Sequence, residues 1–253
     1  LHRDSRKLQF KTTVNNSVRD HRLRVVFPTG MADAAVSLAD APYDVVSRPI
    51  AVPDSTGWYE EAARTWPTTS FVSVAAGEAQ MSIYHVGLSE YEVTDDDTRS
   101  IALTLLRCFS TAGNPTETYR YQELAECLGE HHFYYALDLE PAKNAQLQHR
   151  AFAVNTRPHA VQTTRHSGVW PQEKSFFTVS DPDFVVTALK KAEDGNEIIL
   201  RGYSEASAPG EITVTADFPL KAADKITLEE LPMEALPVNG NTARVSMRPK
   251  EIV

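Results

Sequence analysis

Residues His85–Arg107 read HVGLSEYEVTDDDTRSIALTLLR, a glycine turn and an acidic loop that lead directly into a strongly apolar strand. Ile101, Leu103 and Leu105 recur at every second position, the spacing at which the side chains of a strand share one face. The run Asp95–Thr98 between the two apolar stretches has the polar composition of a solvated turn. This part of the chain therefore predicts sheet rather than helix.

The residues before this stretch extend the same pattern. Ser70–Tyr84 alternates apolar and small polar side chains on both sides of Ala76–Glu78, whose central glycine allows a tight reversal of the chain. The alternation predicts two strands joined in a hairpin. We interpret the region as a hairpin series at the centre of a large β-sandwich, in an all-β protein.

Composition limits the class of partner. The chain has 253 residues, a hydrophobic fraction of 42%, 15 prolines and 11 glycines, which is typical of a folded, loop-rich β protein. The net charge of −9 disfavours binding to a nucleic-acid backbone or to an anionic membrane. No apolar run reaches the ~20 residues that a membrane-spanning helix requires. We expect a neutral partner or another protein surface.

The beginning of the chain bears on whether it is part of a longer protein, and its two cysteines bear on the cellular compartment. Leu1–Ser5 resembles the middle of a strand-and-turn passage, so we expect a segment of a larger protein. Cys108 and Cys127 favour buried thiols in a reducing cytoplasm, with a structural disulfide as the alternative. Between them, Gly113–Pro115 predicts a turn.

The first part of the chain contains further predicted elements. Lys7–Val18 and Arg22–Phe27 both alternate and predict a hairpin, while Tyr43–Ile50 predicts a strand. Ala34–Ala41 fits either a strand or a short helical turn. Asp138–Arg150 is rich in polar residues and predicts helix or coil.

From Lys174 onwards the sequence pattern changes to predicted short strands separated by proline or glycine turns, which is typical of a small sandwich. We therefore predict two domains, a large one over residues 1–173 and a small one over residues 174–253. The predicted strands of the small domain are Ser175–Val179, Phe184–Lys190, Glu197–Tyr203, Glu211–Phe218, Ile226–Leu228 and Thr242–Met247.

Aromatic residues beside carboxylates form the first kind of candidate site, because sugar C–H faces stack on rings while hydroxyl groups bond to carboxylates. Trp58 and Tyr59 lie in such a stretch, and Trp66 and Trp170 are further candidates. A loop packed by its own aromatic side chains is the more common arrangement, and it is favoured here. The charged run Arg19–Arg22 is interpreted as a solvated turn, with a sugar-contacting loop as the alternative.

The adjacent pair His131 and His132 is the most suggestive candidate for a metal site. Neighbouring residues of a strand point to opposite faces, so the two imidazoles are poorly placed to bind one ion. The sequence contains no HxxxH, HxH or CxxC spacing that would support a metal centre. We therefore predict no metal site in this chain.

Several passages, in order, resemble the C-terminal region of family 38 glycoside hydrolases, the α-mannosidases. The bacterial branch, which includes mannosylglycerate hydrolases, is the closer likeness, and the resemblance covers nearly the whole chain. The passages are Asp20–Gly30, Phe71–Val72, Gly87–Val93, Ile101–Arg107, Cys127–His131, Val186–Gly195 and Ile199–Tyr203.

The resemblance implies a mutarotase-like super-sandwich followed by a small β-sandwich, packed against an upstream catalytic domain. Family members carry their zinc ion and both catalytic carboxylates in that upstream domain, so no catalytic, cofactor-binding or metal-binding residue is assigned to this chain. A retaining glycosidase needs two carboxyl groups about 5 Å apart on either side of the scissile bond. Glu90 and Glu92 have that spacing, but they lie on one face of a strand and cannot flank a bond.

Three functional hypotheses follow. The first is the non-catalytic β region of an α-mannosidase, acting on α-mannosides only through the parent enzyme, in the cytoplasm and without nucleic-acid or membrane partners. The second is a freestanding carbohydrate-binding module. The third is a mutarotase-like aldose epimerase, for which His85, His131 and Glu90 would be the acid and base candidates. The sequence leaves self-association open.

Overall fold

The protein, described here from a computed structural model over residues 5–112, 120–142 and 146–253, forms two compact units, Leu1–Arg157 and Pro158–Val253. Strands dominate both units, which confirms the all-β class. The predicted turn at Gly113–Pro115 and most of the opening passage Leu1–Ser5 lie outside the described residues.

The first unit contains twelve described strands, a short 3-10 helix and one α-helix. The 3-10 helix is Glu123–Glu126 and the α-helix, α1, is Leu147–Asn155. The strands are β1 Leu8–Asn16, β2 Arg22–Phe27, β3 Val36–Ala41, β4 Asp44–Pro49, β5 Trp66–Pro67, β6 Phe71–Ala76, β7 Ala79–His85, β8 Glu90–Val93, β9 Ile101–Arg107, β10 Thr111–Ala112, β11 Arg120–Tyr121 and β12 Gly129–Pro141.

Two antiparallel sheets build this unit. One has six strands in the order β1-β12-β7-β6-β3-β4 and the other has four in the order β2-β9-β8-β5, while β10 pairs with β11. The main core includes side chains of both larger sheets. Val72 and Ile83 come from the first sheet and Tyr91 and Leu103 from the second, and all four are 0% exposed. Apolar residues at alternate positions of facing strands thus account for a sandwich.

The central hairpins predicted from the sequence are confirmed. β6 and β7 pair from Phe71 opposite Tyr84 to Ala76 opposite Ala79. The turn between them places Gly77 at φ +58°, a conformation that glycine adopts without a Cβ clash. β8 pairs with β9 across the exposed acidic turn, also as predicted.

Two predictions for this unit are wrong. β1 and β2 do not form a hairpin, because β1 pairs with β12 in the six-stranded sheet and β2 pairs with β9 in the other. The passage predicted as helix or coil is strand as far as Pro141, and only its end is helical. In that passage Asp138 and Glu140 are buried. The segment with two possible structures, Ala34–Ala41, is mainly the strand β3.

The second unit consists of shorter strands, as predicted. β14 and β15 form the expected hairpin and pack on the sheet β13-β16-β20-β19, with Phe184, Ile212 and Val245 in the core between them. Residues 156–176 contain no helix or strand, and the predicted domain boundary lies within them. The strands are β13 Phe177–Val179, β14 Phe184–Lys191, β15 Ile198–Ser204, β16 Gly210–Ala216, β17 Asp224–Ile226, β18 Pro232–Ala235, β19 Val238–Asn239 and β20 Thr242–Met247.

Candidate functional site

Glu90, one of the two carboxylates singled out from the sequence, lies among polar partners on the four-stranded sheet. The Thr104 hydroxyl donates to its Oε1 over 2.8 Å. Arg22 Nε is 3.6 Å from the same oxygen, and Arg107 Nη1 is 3.8 Å from Oε2. The Glu90 side chain is 19% exposed, and it combines one hydrogen bond with two longer ion pairs.

Glu92 lies two residues further along β8 and is held in the same way. Arg24 Nη1 donates to its Oε2 over 2.6 Å, and the two side chains are 21% and 16% exposed. Glu90 and Glu92 therefore share one face with three arginines, which we call the arginine–glutamate face (Arg22, Arg24, Glu90, Glu92 and Arg107). Both carboxylates approach from one side, an arrangement that a two-carboxylate glycosidase mechanism does not use.

His85 is a core residue. Its side chain is completely buried, with Nε2 3.2 Å from the Thr68 hydroxyl and Nδ1 without a hydrogen-bond partner. Burial lowers the pKa of His85 to about 4, because the charged imidazolium would lose its hydration. This imidazole is neutral at physiological pH and cannot reach a substrate in solution.

The two adjacent histidines of β12 have separate partners. His131 Nε2 is 2.7 Å from the Cys127 carbonyl oxygen and its ring stacks with Phe133. His132 bonds with Thr13 on the neighbouring strand, 3.0 Å from Nδ1 to the hydroxyl. Within the described ranges, no group of three or more His, Cys, Asp or Glu side chains is arranged to hold a metal ion.

The three acid and base candidates of the epimerase hypothesis do not come together. His85 pairs with Tyr135 in the sheet register, which places His131 roughly 13 Å further along β12 at the usual strand rise. Glu90 lies in the other sheet. No arrangement of these side chains places an acid and a base on one sugar.

The four aromatic candidates occupy different environments. Trp58 and Tyr59 are 60% and 84% exposed, side by side in an irregular loop. Trp66 instead packs on the core, with the Arg48 guanidinium 5.4 Å from its ring centre. Trp170 belongs to the second unit, where it is 66% exposed and makes an edge contact with Phe176. Trp58 and Tyr59 are therefore the two exposed candidates that are consecutive in the chain.

The charged run Arg19–Arg22 is fastened to the rest of the first unit. The Asp20 backbone N–H donates to Glu126 Oε2 over 2.9 Å, and the Ser110 N–H donates to Asp20 Oδ1 over 2.7 Å. The bonds from Ser110 lower the pKa of the Asp20 carboxyl. The run is an ordered turn in which the Asp20 carboxylate already accepts a hydrogen bond from the Ser110 N–H.

A buried polar cluster beneath α1 is the feature that the sequence reading missed. Arg150 of α1 forms ion pairs with Asp138 and Glu140 of β12, whose side chains are 0% and 4% exposed. Lys7 Nζ donates to the Arg150 carbonyl over 2.9 Å and lies 4.7 Å from the centre of the Tyr84 ring. We call Lys7, Tyr84, Asp138, Glu140 and Arg150 the α1 cluster.

Burial and the neighbouring Asp138 carboxyl raise the pKa of Glu140 to about 7, although Arg150 opposes the change. Burial also lowers the pKa of Lys7 and raises that of Tyr84. The cluster lies between a sheet and a helix that covers it, so it fastens α1 rather than offering a site to substrate. Its signal in the sequence is weak, because Lys7 is 143 positions from Arg150 and no local spacing links the two residues.

Comparison with known proteins identifies the class to which this architecture corresponds. Residues 183–253 match the glycosyl hydrolases family 38 C-terminal beta sandwich domain. The resemblance predicted from the sequence is confirmed, and the chain is similar to the C-terminal β region of family 38 glycoside hydrolases. None of the described helices is long and apolar enough to cross a membrane.

Individual relatives extend the similarity to the whole chain. An alpha-mannosidase from Enterococcus faecalis V583 is 31% identical with a TM-score of 0.82, over 100% of this chain and 27% of that one. A family 38 protein, also from Enterococcus faecalis, is 30% identical with a TM-score of 0.79, over 100% and 28%. A protein of Halalkalibacterium halodurans named "Putative mannosylglycerate hydrolase" is 29% identical over 100% of this chain and 27% of its own length. The chain thus spans about a quarter of these relatives.

Proposed function

We propose that this chain is the non-catalytic β region of an α-mannosidase-type hydrolase and supports an upstream catalytic domain. The observation that carries the proposal is the similarity over 100% of this chain to only 27% of an alpha-mannosidase. The remaining part of such a relative is large enough for the domain in which the family resemblance places catalysis. The zinc ion and the α-mannoside substrate would bind there.

The described side chains support an inactive role for the chain alone. The carboxylates of the arginine–glutamate face are held by arginines. His85 is buried and neutral, and His131 bonds to a backbone carbonyl. A glycosidase requires an acid and a second carboxylate on opposite sides of the bond. The cytoplasmic location expected from the two cysteines stays a prediction.

The experiment that tests this proposal measures hydrolysis of p-nitrophenyl α-mannoside and of mannosylglycerate. Three samples are compared, each with and without added zinc: this chain alone, the parent protein's catalytic region alone, and the two together. We expect turnover that depends on the presence of both parts. Zinc-dependent turnover by this chain alone would overturn the proposal, as would a catalytic region that is fully active without it.

Two variants test whether turnover by the catalytic region depends on the folded β region or only on the addition of protein. Leu103→Asp introduces a charge at a core position that is 0% exposed and should abolish the support. Leu231→Asp makes the same exchange at a position that is 56% exposed and should retain it. Equal support by both variants would show that the fold is not required.

Binding of a carbohydrate chain is a second candidate function, favoured by one observation. Trp58 and Tyr59 are consecutive residues whose side chains are 60% and 84% exposed, and sugar faces stack on exposed rings. Electrophoresis in gels with and without yeast mannan tests it. Retardation by mannan should be lost in a Trp58→Ala, Tyr59→Ala double variant and kept in Tyr134→Ala. Identical mobility of the wild-type protein in both gels would reject the function.

A further inference from the structure

Two free cysteines that are distant in the sequence meet in the first unit. Cys108 follows β9 and Cys127 follows the 3-10 helix, and both contact the main core. The Asn16 side-chain amide joins them, with Nδ2 3.6 Å from Cys108 Sγ and 3.0 Å from the Cys127 carbonyl oxygen. One amide nitrogen thus contacts both the Cys108 sulfur and the Cys127 backbone, which places the two residues next to each other. The backbone is held there as well, because the Phe109 N–H donates to the Ala125 carbonyl.

The two thiols differ in access. Cys108 is 5% exposed, and burial and the neighbouring Cys127 thiol raise its pKa. Cys127 is the more exposed of the two residues: it is half-buried, and its thiol donates to the Ala125 carbonyl oxygen over 3.6 Å. One accessible thiol beside one shielded thiol is the arrangement of an attacking and a resolving cysteine.

We propose that Cys108 and Cys127 form an oxidisable dithiol that closes to an intramolecular disulfide by exchange with a low-molecular-weight disulfide such as glutathione disulfide. The Cys127 thiolate attacks one sulfur of the reagent, and the first glutathione leaves as a thiolate. The Cys108 thiolate then attacks Cys127 Sγ and expels the second glutathione. The protein loses two electrons and two protons, and the reagent is reduced to two glutathione molecules.

The geometry favours closure within the chain over a lasting adduct. Because Asn16 bonds the carbonyls of both Glu126 and Cys127, the turn that carries Cys127 is fixed beside the end of β9. The resolving thiol is therefore already adjacent when the first exchange occurs. The disulfide would tie the end of β9 to the turn before β12 and enclose residues 109–126 in a covalent loop.

Incubation of the full chain with glutathione disulfide tests the proposal. We expect both thiols to disappear, the intact mass to fall by about 2 Da, and proteolysis to yield one peptide pair joined through Cys108 and Cys127. A wild-type product that keeps a glutathione adduct of about 305 Da would overturn the proposal. So would a disulfide-linked dimer, or two thiols that remain free.

Single variants test the assigned roles without requiring enzymatic activity. Cys108→Ser lacks the resolving thiol and should stop at the mixed disulfide on Cys127. Cys127→Ser lacks the accessible thiol and should react more than tenfold more slowly than Cys108→Ser, with circular dichroism as the check on folding. Equal rates for the two variants would overturn the assignment of Cys127 as the attacking residue.

Discussion

Replacement of Glu140 by glutamine probes the buried carboxyl of the α1 cluster. The exchange keeps the shape of the side chain, removes its ability to become charged and replaces one carboxyl oxygen by an NH2 donor. Glu140 is 4% exposed and lies with Asp138 against Arg150. Because burial and the Asp138 carboxyl oppose its ionisation, the folded protein holds a proton that the unfolded chain releases.

The magnitude follows from the pKa of Glu140, which rises from its ordinary value of 4.5 to about 7 in the fold. Between these values the folded state binds more protons than the unfolded state, so the free energy of unfolding falls as the pH rises. Each tenfold difference in proton affinity is worth about 1.4 kcal/mol, which gives a loss of about 2.5 kcal/mol between pH 5 and pH 8. In Glu140→Gln this contribution is absent at both pH values.

Urea unfolding at pH 5 and pH 8, followed by tryptophan fluorescence, measures the effect. Trp66 packs on the core of the first unit, whereas Trp58 and Trp170 are already more than half exposed in the fold, so the signal reports mainly on the first unit. We expect Glu140→Gln to gain about 2.5 kcal/mol relative to the wild type on going from pH 5 to pH 8. Glu78→Gln, at an exposed turn, serves as the matched control.

A parallel loss of stability by the wild type and Glu140→Gln would refute the reasoning. That result would mean that the carboxyl ionises in the fold as readily as in the unfolded chain. A gain of equal size in the Glu78 control would also contradict it, because the effect would then arise from the general charge of the protein rather than from the α1 cluster.

Three further predictions concern packing within each unit. Gly202→Ala should destabilise the second unit by about 2 kcal/mol in calorimetry, since a Cβ would lie 2.3 Å from the Phe184 ring, whereas Gly210→Ala meets nothing within 4 Å and should be nearly neutral. Equal effects at the two glycines would contradict this packing. Asn16→Ala should lower the free energy of unfolding by about 2 kcal/mol, because buried carbonyls lose their donor, and an unchanged urea midpoint would exclude that role. Leu103→Ala should cost about 3 kcal/mol by leaving a cavity in the core, and a loss below 1 kcal/mol would indicate collapse of the site.

Local patterns in the sequence were sufficient for the hairpins. The β6–β7 and β14–β15 pairs each combine alternating apolar residues with a short turn, so all the required information lies within about 20 residues. The same alternation placed Glu90 and Glu92 on one face of β8. The partners that neutralise them, Arg22 and Arg24, come from a strand much earlier in the chain and could not be assigned by pattern.

Two features depended on contacts that no local pattern contains. The pairing of β1 with β12 joins residues more than 100 positions apart, so the nearer but incorrect partner β2 was preferred. The polar passage that contains Asp138 and Glu140 was predicted as helix or coil, since charged side chains are rarely buried without a partner. Their partner Arg150 approaches from a helix that covers the sheet, and this tertiary contact allows the strand to continue through two carboxylates.

The place of β12 in the six-stranded sheet has a consequence for biosynthesis. β12 lies between β1, the first described strand of the unit, and β7. During translation, β1 and one edge of β7 therefore lack their partner strand β12 until Pro141 has left the ribosome. Open edges of this kind are sites of wrong pairing and aggregation. Slow elongation before residue 141 would thus prolong a vulnerable nascent state that the finished protein no longer displays.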